Sequence, residues 1–147
     1  MSLPTNILVP TDFSASADCA LDYAVALASK LGARVHVIHV IGVPELGVPE
    51  LGMAVASALM APLILTQRAT LDARIEKRRG EATFGEIALR TGDARDSILQ
   101  QASAVGADLI IMGTRGRRGL SRALLGSVAE SIVRTATCPV LVVHAPA

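Results

Sequence analysis

Five short aliphatic runs alternate with four segments of helical period, and this alternation leaves the chain few ways to fold. The runs are residues 7–9 (I-L-V), stopped by Pro10; 34–40 (R-V-H-V-I-H-V); 86–90, a weaker run after Gly85; 109–112 (L-I-I-M), stopped by Gly113; and Val140–Val143, opened by Pro139. They are rich in Val and Ile, as strands are. The first, fourth and fifth are continuously apolar, as expected where helices cover both faces of a parallel sheet. Between them, Ala17, Ala20, Leu21, Ala24, Leu27, Ala28 and Leu31 form one helical stripe that Gly32 ends. Leu71 and Ile75 stand four apart within 63–79; Ile98, Leu99, Ala102 and Val105 share a face, as do Val128, Ile132 and Val133. The order βαβαβαβαβ predicts an α/β fold: an open, doubly wound, five-stranded parallel sheet of order 3-2-1-4-5, Rossmann-like, with helices on both faces.

Its 147 residues suit one domain over 1–147. With 51% hydrophobic and 18% charged residues, the chain can bury a core and is not a disordered tail. Fourteen basic against thirteen acidic residues give a net charge of +1, without the basic footprint of a nucleic-acid binder. Aromatic residues are 2% and Trp is absent, which removes stacking platforms for single strands. Only Lys30 and Lys77 are lysines, so a phosphate-gripping or Schiff-base lysine is not expected. Cys19 and Cys138 lie far apart and read as reduced thiols of a cytoplasmic protein. The N-terminus lacks the basic start of a secretory signal. The longest uncharged stretch, 51–67, contains Pro62 and falls short of the ~20 apolar residues of a membrane span.

One segment departs from the alternation. Residues 42–46 (G-V-P-E-L) are repeated at 47–51, followed by small apolar residues. Glycine and proline predict an apolar loop or lid insertion at about 42–61 leading into a buried helix, with an apolar oligomer surface as the alternative.

The strongest local signal is Gly113-Thr114-Arg115-Gly116, nine residues, then Gly126-Ser127. Glycines after a buried strand permit a sharp turn and close approach to a ligand. Ser127 and Glu130 have the spacing of a capping box, which places Ser127 at the start of a helix or within one residue of it. A helix N-terminus offers free N–H groups and partial positive charge to a phosphate. Each hydrogen bond to a charged group contributes about 1.5–3 kcal/mol. Three or four reach the ~8 kcal/mol of a micromolar site. Of the intervening Arg115, Arg117, Arg118 and Arg122, the first two are the better candidates for touching phosphate; a solvated basic loop is the alternative. Asp12, after the first strand in V-P-T-D-F-S, faces Gly113 across the crevice where the sheet order reverses, and there it can accept from ribose hydroxyls. Its alternative is a helix cap shared with Ser14 or Ser16.

Other chemistry is poorly supplied. A Walker lysine, a G-x-S-x-G elbow and a receiver-domain Asp/Lys pair are all missing. His36, His39 and His144 lie in or at the ends of strands without metal-ligand spacing, so no metal site is expected.

The opening I-L-V-P-T-D-F-S, the L-G-A that ends the first helix, the H-V at 39–40, the block from Asp108 to Glu130 and the closing C-P-V-L-V-V resemble the universal stress protein family over nearly the whole chain. Its nucleotide-binding branch is marked by G-x2-G-x9-G-S/T, which is present here. The resemblance implies ATP in the crevice. Pro10, Thr11 and Asp12 would line adenine and ribose, Val40 would meet adenine through its backbone, and Met112 and Gly113 would form the floor. Gly116, Gly126, Ser127 and Val128 would hold the phosphates. It also implies a homodimer through antiparallel pairing of Val140–Val143, which would cover a sheet edge. The function expected is an ATP-binding regulatory protein of the stress response with little or no hydrolysis. The alternatives are a slow ATPase or phosphotransfer protein, and a binder of AMP, a cyclic nucleotide or a protein partner. No His, Glu or Lys is placed to activate water, which weighs against an enzyme. Magnesium is left open, since no carboxylate pair is set to hold it without the phosphates.

Overall fold

The aliphatic runs pair side by side. A computed structural model describes residues 2–43, 49–114 and 125–146, with backbone alone at 49–54 and 56. In it β1 (Asn6–Pro10), β2 (Arg34–Ile41), β3 (Thr83–Thr91), β4 (Leu109–Gly113) and β5 (Val140–Val143) form one parallel sheet of order β3-β2-β1-β4-β5. The helices are α1 (Ala15–Leu31), α2 (Pro49–Glu76), α3 (Ala94–Val105) and α4 (Ser127–Thr135). Strand side chains alternate between faces. Ile7, Val9, Val35, Val37 and Ile111 meet α1 and α2 through Leu21, Ala24, Leu71 and Ile75. Leu8, Ile38, Ile110 and Met112 meet α3 and α4 through Ile98, Ala129 and Ile132. Each large side chain so buried contributes about 1.5–3 kcal/mol, and two such layers enclose the central strands.

The helix ends follow local chemistry. Ser14 caps α1 by accepting from Ala17 N–H at 3.2 Å, and Gly32 closes it in the left-handed region at φ 69°. Asp93 caps α3, accepting from Asp96 N–H at 2.8 Å.

β3 is longer than the 86–90 run because it is held by a side chain of β2. His36 Nδ1 accepts from Glu86 N–H at 2.9 Å, and its Nε2–H donates to Asn6 Oδ1 at 3.0 Å. A Cβ at Gly85 would overlap the His36 ring, so glycine is needed where the strand passes over it, beside the register shift between Val35 and Val37. This arrangement requires the neutral imidazole. Burial lowers the pKa of His36 from 6.5, and Arg34 lowers it further. The unfolded chain therefore binds the extra proton first as pH falls. Stability from His36 is complete above about pH 6.5 and declines as pH drops through that value toward the folded pKa. In urea unfolding across a pH series, His36→Gln is expected to be less stable at pH 8, with the gap to the parent protein narrowing below pH 6.5. A constant gap would refute this.

The segment expected as a loop or lid at 42–61 is shorter than the glycines and prolines suggest. α2 starts at Pro49 and continues without a break for 28 residues. Proline suits the first helical turn, where its missing N–H would lack an acceptor anyway. Pro62 stays inside the helix, and Thr66 Oγ1 donates to its carbonyl at 3.0 Å. The rest of the expected loop, 44–48, lies outside the described residues. Nor is the helix buried where it was expected to be. Leu71 and Ile75 are in the core, whereas Val55, Leu59 and Leu65 are 42%, 55% and 73% exposed. On α4, Ala129 and Ile132 face inward, and Val133 is 46% exposed and not part of the inner stripe.

Candidate functional site

The sheet order reverses between β1 and β4, so the chain leaves their carboxyl ends in opposite directions and opens a crevice. A cavity of about 550 Å³ fills it. That lies within the ~300–1,000 Å³ of small-molecule sites. Pro10, Thr11, Asp12, Val40, Met112, Gly113, Gly126, Ser127 and Val128 all line it. Arg115, Gly116 and Arg117, with Arg118 and Arg122, fall outside the described residues.

The β1–α1 turn builds one wall. Thr11 N–H donates to Ile38 O at 2.8 Å, carrying the turn on from the sheet. Phe13 N–H donates to Thr11 Oγ1 at 3.1 Å, and Ser14 N–H to Asp12 Oδ1 at 2.9 Å. Asp12 therefore shapes the turn while lining the cavity, and Ser14 performs the capping. Phe13 holds φ at 66°, a left-handed value unusual for a large residue. Three side chains fix it there. His39 donates from Nδ1 to Thr11 O at 2.7 Å, and its ring stacks on Phe13 at 4.1 Å. Arg74 of α2 lies over the Phe13 ring at 4.8 Å and donates from Nη2 to Phe13 O at 3.2 Å. Arg74 is itself held by Asp18 at 2.9 Å.

The opposite wall joins β4 to α4. Thr114 N–H donates to Val143 O at 3.0 Å, and Gly126 N–H donates to Thr114 O at 2.6 Å. These bonds bring both ends of the glycine motif to the cavity rim. Gly126, not Ser127, is the N-cap of α4. Ser127 is the first helical residue, so it and Glu130 stand one place too late for a capping box, and Glu130 pairs with Arg134 at 2.8 Å. The exchange favours a ligand. A glycine cap leaves no side chain over the helix end, and the N–H groups of Ser127, Val128 and Ala129 have no acceptor within the helix. Gly113 serves a purpose the motif does not reveal. A Cβ there would lie 2.5 Å from Ser16 Oγ and 2.8 Å from Ala17 N, so glycine lets α1 pack against β4.

The sequence reading misses Ser14, Ala17, Ile38, Ala94, Ile98, Thr114 and Ala129, which also line the cavity. Most carry no polar signal. Thr114 is the informative one: it is fully buried, and its Oγ1 has no partner among the described residues. Asp12 is the one carboxylate among the described lining residues. Among the described residues, no three His, Cys, Asp or Glu side chains gather into a metal-sized group.

The universal stress protein family profile matches residues 4–144. The chain belongs to the universal stress protein family. Universal stress protein MJ0531 of Methanocaldococcus jannaschii is 35% identical over 147 residues, covering 99% of this chain and 85% of that protein. Universal stress protein MJ0577 of the same organism is 30% identical, covering 94% and 93%. The solved structure of MJ0577 superposes with a TM-score of 0.85 over 97% of both chains. A universal stress protein from Archaeoglobus fulgidus, solved in complex with dAMP, superposes with a TM-score of 0.69 at 25% identity, covering 95% of this chain and 97% of that one. Its shared fold places this universal stress protein among proteins at least one of which holds an adenine nucleotide. Among the described residues, no helix is long and apolar enough to cross a membrane.

Proposed function

We propose that this universal stress protein is a regulatory module that binds an adenine nucleotide, ATP above all, in the β1–β4 crevice, with little or no hydrolysis. The observation that carries this reading is one cavity lined by both the carboxylate after β1 and the glycine-capped N-terminus of α4. Asp12 accepts from the ribose. Pro10, Thr11 and the Val40 backbone flank adenine, and Met112 and Gly113 form the floor. Gly126, Ser127 and Val128 hold phosphate on backbone N–H groups, as helix N-termini do. Arg115, Gly116 and Arg117 complete the phosphate side from a segment whose two ends are joined by the Gly126–Thr114 bond. The dAMP complex of the Archaeoglobus fulgidus relative supports the adenine class. The described lining residues favour binding over turnover, because Asp12 is the one carboxylate among them and they include no His or Lys. Where magnesium accompanies ATP, the phosphates supply most of its ligands.

The same reading pairs Val140–Val143 with a second copy. β5 is a sheet edge, and all four of its residues are only half-buried. Cys19 and Cys138 are free thiols, in keeping with a cytoplasmic setting.

Titration calorimetry with ATP, ADP, AMP and cyclic AMP tests the reading. ATP is expected to bind with micromolar Kd and AMP more weakly, because the α4 terminus has fewer phosphates to hold. Asp12→Ala is expected to weaken every nucleotide by about tenfold or more, as loss of a charged hydrogen bond does. Absence of heat with all four nucleotides rejects the reading; tighter binding of cyclic AMP than ATP replaces it with a cyclic-nucleotide sensor.

A further inference from the structure

Among the described residues, α2 is held to the sheet through its C-terminal half. Leu71 and Ile75 anchor it in the core, and Arg68 Nη1 donates to Ile87 O of β3 at 3.2 Å. On the helix face opposite Leu71, at a spacing of three and four, stand Val55, Ala58, Leu59, Pro62, Leu65 and Ala69, all exposed. Leu65 at 73% and Leu59 at 55% protrude the most. No charged residue occurs from 51 to 67. Thr66, on the same face, turns its hydroxyl back to Pro62 O and so presents little polarity outward. An outward face of an ordinary solvated helix carries charge; this one carries an uncharged seam.

We infer that this seam is a self-association surface on which α2 pairs antiparallel with α2 of a second copy, about a two-fold axis at Pro62. The seam matches itself under that operation. Leu59 then stands level with the partner subunit's Leu65, Val55 with the partner subunit's Ala69, and Ala58 with the partner subunit's Thr66. Protruding leucines meet each other, and small residues let the helices approach to the ~8–10 Å of close packing. A C2 contact needs such self-complementarity, whereas a foreign partner does not. From Val55 to Ala69 the seam is about 22 Å long and ~10–12 Å wide, on the order of 500 Å² over two copies. That is about a third of the ~1,600 Å² a standard stable interface buries, so the contact is weak and concentration-dependent. It lies by β3, at the sheet edge away from β5, and stands whether or not β5 pairs or a nucleotide binds.

Sedimentation velocity of the full chain over a dilution series tests it. Leu59→Glu with Leu65→Glu is expected to lower the self-association constant at least tenfold, leaving the far-ultraviolet circular dichroism unchanged. Pro62→Cys, in a Cys19→Ala, Cys138→Ala background, is expected to cross-link to its own copy under mild oxidation, while Lys77→Cys in that background does not. The cysteine pair gives a result even if the double glutamate variant misfolds. The inference is overturned if the dilution series is unchanged by the glutamates, if Pro62→Cys does not cross-link, or if the protein is a monomer throughout. It is also overturned if the seam instead carries the protein onto phosphatidylcholine vesicles and the glutamates abolish that binding.

Discussion

Gly126→Val combined with Ser127→Leu is expected to abolish the rise in melting temperature that the proposed ATP binding would give the parent protein. At a ligand concentration 100 times Kd, binding to the folded state adds about 2.7 kcal/mol. For a chain of this size that corresponds to a shift of roughly 5–10 °C. Gly126 is buried, lines the cavity and caps α4 with φ −62° and ψ 156°, an extended conformation that valine adopts without strain. The fold should therefore survive with a loss of about 1 kcal/mol from the poorer cap. New methyl groups would occupy the space in front of the free N–H groups. Differential scanning fluorimetry with and without ATP reads both effects. A full shift retained in the variant would mean that ATP is held elsewhere, or not by the α4 terminus.

Gly113→Ala is expected to cost more stability than any ordinary methyl group. The added Cβ would meet Ser16 Oγ at 2.5 Å, Ser16 C at 2.7 Å and Ala17 N at 2.8 Å. Two of these are backbone atoms of the first turn of α1, which cannot rotate out of the way. Either α1 or the end of β4 must shift, at an overpacking cost of about 2–3 kcal/mol. Because Ser14, Ala17 and Gly113 all line the cavity, ATP affinity should fall as well. Denaturant melts and calorimetry on the same sample measure the two losses. Unchanged stability would show that α1 can slide along β4 without penalty.

Strand order and core were readable because the apolar runs and the helical stripes agree with one another, and every expected lining residue among those described reaches the cavity. What was hidden depends on contacts between distant segments. Glycine at 113 reads as a turn, yet the packing of α1 requires it. Ser127 and Glu130 have capping-box spacing, but Gly126 takes the N-cap position and moves both one place into the helix. Pro49 and Pro62 look like punctuation, and the helix absorbs both, one in its first turn and one in its interior. The Arg74–Phe13–His39 stack joins three elements, and no local pattern announces it.

The bond from Gly126 to the Thr114 carbonyl works like a clasp. It joins the two described residues on either side of the arginine-bearing stretch. Doubling the length of a chain segment closed in this way costs only about 0.6 kcal/mol. Insertions or exchanges between Thr114 and Gly126 are therefore expected to be cheap for the sheet. Under the proposed function, that stretch is where ligand preference could be rewritten while the scaffold stays as it is.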